Sequence, residues 1–479
     1  MGDAAPGEDF FPDAAFLVLS TRLIPGLDGG YTIATAARAR QMAERGADVQ
    51  VLTFDPGDAS AHASHRSEFR RLGMLPDSIQ LRNLFDEAAA PDGGAAGWLR
   101  VAAATTKAPD EDANRPLARK DAAHSTGAGL DVADAYRELT DAAGRPFAAL
   151  PVIHGNPDWH LSAAPVRVYD ERSVEVGTLP GFGGLYRAWL DHVADEAGRQ
   201  VVVICESRQL GELLANWSHP RVRIVHAIHT MHLEPPYTPE AALNPLWARW
   251  FAISDRFDAV TWPTRAQRDD VVARFGDDAE HLVVPNGIRL GAADDSAREP
   301  GLVVSMSRLA PGKRIDHLVR AFLMADVPGA RLEIWGDGPS TGELGELMDR
   351  LAAGDRVRLM GRTEDPAAVL RRASLMVTST AFEGQGLSIV EALAAGCPVI
   401  SYDVRYGPGD VLRRGGGLLI PSGDEQALAE GVREVLTDAE LRERLAGEAP
   451  AAASAWSEDA AMTALAGAVR AALDGPQRR

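Results

Sequence analysis

A chain of 479 residues exceeds one ordinary domain, and 46% hydrophobic with 24% charged side chains supply cores of normal size. Acidic groups outnumber basic ones by 68 to 49, a formal net charge of −19, which excludes broad nucleic-acid binding and disfavours an anionic membrane surface. The two cysteines, Cys205 and Cys397, are too few for a disulfide framework or a four-cysteine zinc site, and read as buried free thiols.

The opening stretch MGDAAPGEDFFPD lacks the basic region of a secretory leader, and no apolar run approaches the roughly 18 residues of a membrane span. The expected compartment is the cytoplasm. The run AFLVLSTRL (15–23) predicts a strand, followed by a Gly-containing turn and a helix over ATAARARQMAER that stops at Gly46. ADVQVLTFD (47–55) is the next strand, so this first unit reads as a parallel α/β crossover. Residues 88–130, rich in Ala, Gly, Asp and Pro, read as loop, whereas 147–155 and 166–179 alternate like antiparallel strands. A small β insertion over 88–200 follows, ending in an amphipathic helix at 184–198.

Strand-like runs resume at 201–206, 221–229, 258–264 and 281–287, and a Pro-, Gly- and Asp-rich link covers 285–300. The second half repeats the rhythm, with apolar runs at 302–309, 330–338, 356–361, 375–380, 398–403 and 416–421. The expected architecture is therefore α/β, with two doubly wound Rossmann-like domains facing a cleft. The expected division is 1–87 and 201–290 for the first lobe, 88–200 for the insertion, 291–454 for the second lobe, and 455–479 for a last helix crossing back.

The densest constellation is AFEGQGLSIVEALAAGCPVIS, where Glu383 lies in a loop after a strand and Glu391 lies in the following helix, seven residues apart. Such carboxylates suit sugar hydroxyls, and Gly384, Gly386, Leu387 and Ser388 offer backbone N–H groups at a helix start, suited to phosphate. The plainer alternative is a capping loop with a solvated Glu391. In SRLAPGKRIDHL, Arg308 leaves a strand and Lys313 opens the next helix, so both cations can meet one pyrophosphate. Gly29 and Gly30 follow the first strand as G-x-x-G-G, which lets backbone approach a donor but lacks the dinucleotide fingerprint. Asp55, ending the second strand, keeps a ribose-gripping dehydrogenase as a minor alternative. HAIHTMHL carries His226, His229 and His232 without the H-E-x-x-H pattern of a zinc site, so no metal site is expected.

Read together, VVSMSRLAPGKRIDHLVRAF, LEIWGDGP, VRLMGR, TSTAFEGQGLSIVEALAAGCPVISYDV and GGLLIPSGD resemble glycosyltransferase family 4, retaining enzymes of GT-B architecture. The likeness covers nearly all of 300–440. EGQGLSIVEAL with SYDVRYGPGDVL, HAIHTMHLEPP and the β insertion looks most like poly(glycerol-phosphate) or poly(ribitol-phosphate) teichoic-acid α-glycosyltransferases and serine-rich-adhesin glycosyltransferases. The resemblance implies that Arg308 and Lys313 hold a donor pyrophosphate, Glu391 the ribose and Glu383 the transferred sugar. It implies that Met360, Gly361 and Arg362 meet the base, and that His229 or His232 faces the sugar. The implied co-substrate is a UDP-sugar with no further cofactor, and the implied reaction is front-face displacement with retention. The acceptor is then a polyol-phosphate polymer or a protein, with a small or lipid-linked acceptor and a non-catalytic binding partner as alternatives. Arg137, Arg145, Arg167 and Arg172 in the insertion form a stripe for a polyanion or are solvated hairpin charges, and the insertion is a candidate surface for a homo-oligomer.

Overall fold

The computed structural model describes residues 10–27, 29–90, 94–105, 133–156, 158–291 and 298–479. In chain order the first lobe holds strands β1 (Ala15–Ser20), β2 (Asp48–Thr53) and β3 (Gln80–Asn83), and the insertion holds β4 (Ala135–Thr140), β5 (Pro146–Val152), β6 (Val166–Tyr169) and β7 (Glu175–Leu179). The first lobe then resumes with β8 (Val201–Cys205), β9 (Val222–Ala227), β10 (Ala259–Trp262) and β11 (His281–Val283). The second lobe holds β12 (Leu302–Met306), β13 (Arg331–Trp335), β14 (Val357–Gly361), β15 (Leu375–Thr378), β16 (Val399–Asp403) and β17 (Gly417–Pro421).

The first-lobe sheet runs β11-β10-β9-β8-β1-β2-β3, every pair parallel. AFLVL and VVVIC are apolar throughout because both faces of their sheet are covered. Phe16 and Val18 enter a core closed by the last helix, whereas Leu17 and Leu19 enter the core shared with the insertion. The second sheet runs β14-β13-β12-β15-β16-β17. In each lobe the winding reverses beside the first strand, between β1 and β8 and between β12 and β15. The loops after those strands diverge and leave a crevice at their carboxyl ends.

The insertion is an antiparallel sheet in the order β4-β5-β6-β7. It is no separate bead: Ala148, Leu150, Val166 and Val168 share one core with Leu19, Trp189 and Val203 of the first lobe. Three features differ from the sequence reading. Gly94–Thr105, inside the stretch read as loop, is a helix packed on β7, while 106–132 lies outside the described residues. β4 and the sheet-edge strand β3 add to the predicted strands. The helix at the end of the insertion starts at Gly181 and buries Trp189, Leu190 and Val193 against the first lobe.

Three of the four arginines proposed as a stripe have partners of their own. Arg145 pairs with Asp141 at 2.8 Å, Arg167 lies over the Tyr136 ring at 4.2 Å, and Arg137 reaches the Pro56 carbonyl at 3.3 Å. The final helix, Glu458–Asp474, leaves the second lobe and buries Met462, Leu465 and Val469 in the first. Among the described residues no helix is long and apolar enough to cross a membrane.

Candidate functional site

Lys313 and Glu383 meet because their loops follow the two switch strands of the second lobe. Pro311–Lys313 forms one 3-10 turn, and Arg314 after it takes the left-handed conformation. Ser379, at the end of β15, donates to the carbonyls of Lys313 and Arg314 at 3.1 and 2.7 Å, and Ala381 N–H donates to the Gly312 carbonyl at 2.8 Å. With the loops stitched this way, the Lys313 ammonium donates to the Glu383 carboxylate. Arg308 stands exposed after β12, with no partner for its guanidinium among the described residues.

Gly386 caps the Leu387–Ala394 helix at φ 83°, a left-handed conformation that a side chain would strain. This turn presents the N–H groups of Leu387 and Ser388 beside Glu383. One turn on, Glu391 lines a cavity of about 40 Å³ with Ile33, Ala37, Ile288, Leu387 and Met462. Burial among these apolar neighbours raises its carboxyl above the usual range.

The first lobe supplies the facing wall. Gly29 takes φ 50° and Gly30 begins the Gly30–Ala43 helix, with Leu387 of the other lobe next to it. Gly384 is packed so closely on the His229 carbonyl that a side chain there would run into it. The lobes also meet where Arg362 donates to the Gly26 carbonyl at 2.9 Å and where Arg405 pairs with Asp270 at 2.5 Å. Arg362 thus spans the cleft, and the Gly361 carbonyl beside it accepts from Gly336 N–H at 2.7 Å.

The three histidines of HAIHTMHL part company. His229 is at the cleft, its Nε2 bonded to Glu206 and its ring edge-on to Tyr31 at 5.3 Å. His232, the other sequence candidate, is instead buried among Trp247, Phe251, Phe275 and Tyr406, and burial pushes it down to about 4. His226 is fully buried against Trp250 and Phe257 and pushed down to about 3 by the same cause. A loop that reverses direction after β9, and not a helix face, sets these fates. Asp55 contacts His62 at 3.2 Å and Asn83 at 3.4 Å.

Four further residues belong to the site. Glu206 closes β8 and is buried. Burial works to raise its pKa, but Arg38 and His229 outweigh that and hold the carboxyl below its ordinary value. Arg38 pairs with it at 2.7 Å and also donates to Asn286 at 3.0 Å, and Asn286 is gripped by Gln385 of the other lobe. The one sequence signal was a charged residue ending the apolar run VVVIC.

A family model for glycosyl transferases group 1 matches residues 292–451. The chain carries a glycosyl transferases group 1 domain. An exopolysaccharide phosphotransferase of Streptomyces coelicolor is 33% identical over 245 residues, which make up 50% of this chain and 25% of that protein. A poly(ribitol-phosphate) alpha-N-acetylglucosaminyltransferase of Staphylococcus aureus is 26% identical over 241 residues, 50% of this chain and 48% of its own length. The chain thus spans half or less of these curated relatives. The crystal structure of a point mutant of S. aureus TarM, in complex with fondaparinux, alpha-GlcNAc-glycerol and UDP, superposes with a TM-score of 0.70 at 16% identity, covering 95% of this chain and 99% of that one. The group 1 domain is the second lobe of a GT-B fold, and it holds Arg308, Lys313, Glu383 and Glu391.

Proposed function

We propose that this chain is a retaining α-glycosyltransferase of the family 4 type. It moves a hexose or N-acetylhexosamine from a UDP-sugar to a hydroxyl of a polyol-phosphate polymer or a protein. The observation that carries the reading is the convergence of Lys313, Glu383 and the Gly386-capped helix on a cleft whose other wall is Gly30 and His229.

In this reading Arg308, Lys313 and the N–H groups of Leu387 and Ser388 take the pyrophosphate, and Glu391 takes the ribose. Glu383 grips the sugar hydroxyls, and His229 faces the sugar from the first lobe. The acceptor oxygen forms its bond to the anomeric carbon on the face from which UDP leaves. The bond to the β-phosphate oxygen breaks with its electron pair, that oxygen takes the acceptor's hydroxyl proton, and the configuration is kept. Fixed cations and N–H dipoles meet the charge as it develops, which makes catalysis mainly electrostatic. The polymer reading draws support from the name of the S. aureus relative.

The test is a screen of UDP-, GDP- and ADP-sugars by thermal shift and slow hydrolysis, on wild type and Glu391→Ala. Stabilisation by one UDP-sugar, lost in the variant, is the expected result. A flat response to every nucleotide sugar refutes the reading.

A further inference from the structure

Gln385 lies between Glu383 and Gly386, yet its side chain is 3% exposed and engages the other lobe. Its Oε1 accepts from the backbone N–H of Asn286 at 2.7 Å, and its Nε2 donates to the carbonyl of the same residue at 2.9 Å. This two-point grip on the N–H and C=O of one residue has the form of a strand pairing, and an opening of an ångström breaks both bonds. Asn286 Oδ1 in turn accepts from Arg38 Nη2 at 3.0 Å, and Arg38 Nε pairs with Glu206 Oε1 at 2.7 Å. The second oxygen of Glu206 holds His229 Nε2. The His229 carbonyl then lies against Gly384, the residue before Gln385. The path therefore leaves the 383–386 loop, crosses the first lobe and returns to the same loop.

Each link is placed by the one before it. Glu206 is a desolvated carboxylate whose location depends on Arg38, since a buried charge follows its counter-ion. Arg38 is fixed at its far nitrogen by Asn286, and Asn286 is fixed by Gln385 only while the lobes are together. We propose that Gln385 is a positioning residue, an interlobe latch that sets the orientation of His229 through Asn286, Arg38 and Glu206 when the cleft closes. The inference rests on the reading that His229 faces the donor sugar. It adds that this contact is made only in the closed arrangement, so that turnover of the sugar is tied to closure.

The experiment uses the full chain with UDP as the probe. Hydrogen exchange over 226–232 is measured with and without UDP for wild type, Gln385→Ala and Asn286→Ala. UDP-sugar turnover and UDP affinity are measured alongside. UDP is expected to slow exchange over this segment in wild type. Gln385→Ala should bind UDP within about twofold, lose that slowing, and lose about tenfold or more in kcat with KM little changed, as befits two lost hydrogen bonds. Asn286→Ala keeps the backbone grip of Gln385 but cuts Arg38 loose, and should show the same kcat loss without the burial of an unpaired charge that Glu206→Gln would cause. Wild-type kcat in Gln385→Ala overturns the latch, as does a loss of UDP affinity matching the loss of kcat. Lys313→Ala separates the two failures: if it binds UDP as wild type does, the donor-site reading itself has failed.

Discussion

Lys313 donates to Glu383, and both side chains are largely shielded, 28% and 18% exposed. A pyrophosphate that is to take the ammonium must therefore compete with a carboxylate already holding it. Glu383→Gln removes the competitor's charge and leaves a neutral side chain of the same shape. An ion pair that still keeps some contact with solvent is worth about 1 kcal/mol, so UDP, which carries no sugar for Glu383 to grip, should bind about fivefold tighter to the variant. Sugar transfer should fall at least about a hundredfold, because the carboxylate proposed to orient the sugar is gone. Isothermal titration with UDP on wild type, Glu383→Gln, Lys313→Ala and the double variant gives the coupling directly. The gain should vanish in the Lys313→Ala background and shrink as salt is raised. Unchanged or weaker UDP binding by a folded Glu383→Gln protein, or the same gain without Lys313, refutes the reasoning.

Glu391 carries a carboxyl raised by burial, so its ionised form costs stability above the carboxyl's unfolded pKa, and the cost disappears at low pH. Glu391→Gln should then melt higher than wild type at pH 8 and level with it near pH 4, while losing UDP binding. His226, His160 and His232 are held neutral by burial, at about 3, 4 and 4. Their pKa values are lowered on folding, so the unfolded chain takes up protons first. Stability is intact above pH 6.5 and should fall by up to about 4 kcal/mol per pH unit near pH 5, seen as a steep drop in melting temperature that His232→Phe makes shallower by about a third. Gly384→Ala should push the 383–386 loop off the His229 carbonyl and cost transfer about a hundredfold through misplacement, with the melting temperature of the second lobe little changed.

The doubly wound halves were legible because buried parallel strands are nearly continuous apolar runs, as in AFLVLS, VVVIC and LVVSM. β3 escaped notice because QLRN is a four-residue edge strand with one apolar side chain. The helix Gly94–Thr105 was hidden by its own composition, GAAGWLRVAAAT, whose Gly and Ala leave few large residues to show a period. Glu383 and Glu391 could be picked out as candidates by their spacing within one segment. The choice between His229 and His232 could not, since it depends on aromatic residues at 247, 251 and 275 that arrive later in the chain. Gln385 stood inside the most conspicuous motif and still gave no signal, because its partner is a peptide group 99 residues away.

The polypeptide passes between the lobes twice, once after β11 and once before the final helix, and the two passages are bonded to each other. Ile288 N–H donates to the Trp456 carbonyl and Glu458 N–H to the Ile288 carbonyl, both at 2.9 Å. Gly287 is wedged so closely on Ser457, Glu458 and Ala461 that it has no room for a side chain. Two joined crossings act as a pair of pins on one edge of a door: they permit swing about the line through them and resist twist and slide. The lobes thereby meet in one registration each time they shut, and paired contacts such as Arg362 on Gly26 and Arg405 on Asp270 can form together. A cut between residues 454 and 458 would break one of the two joined crossings and loosen that registration.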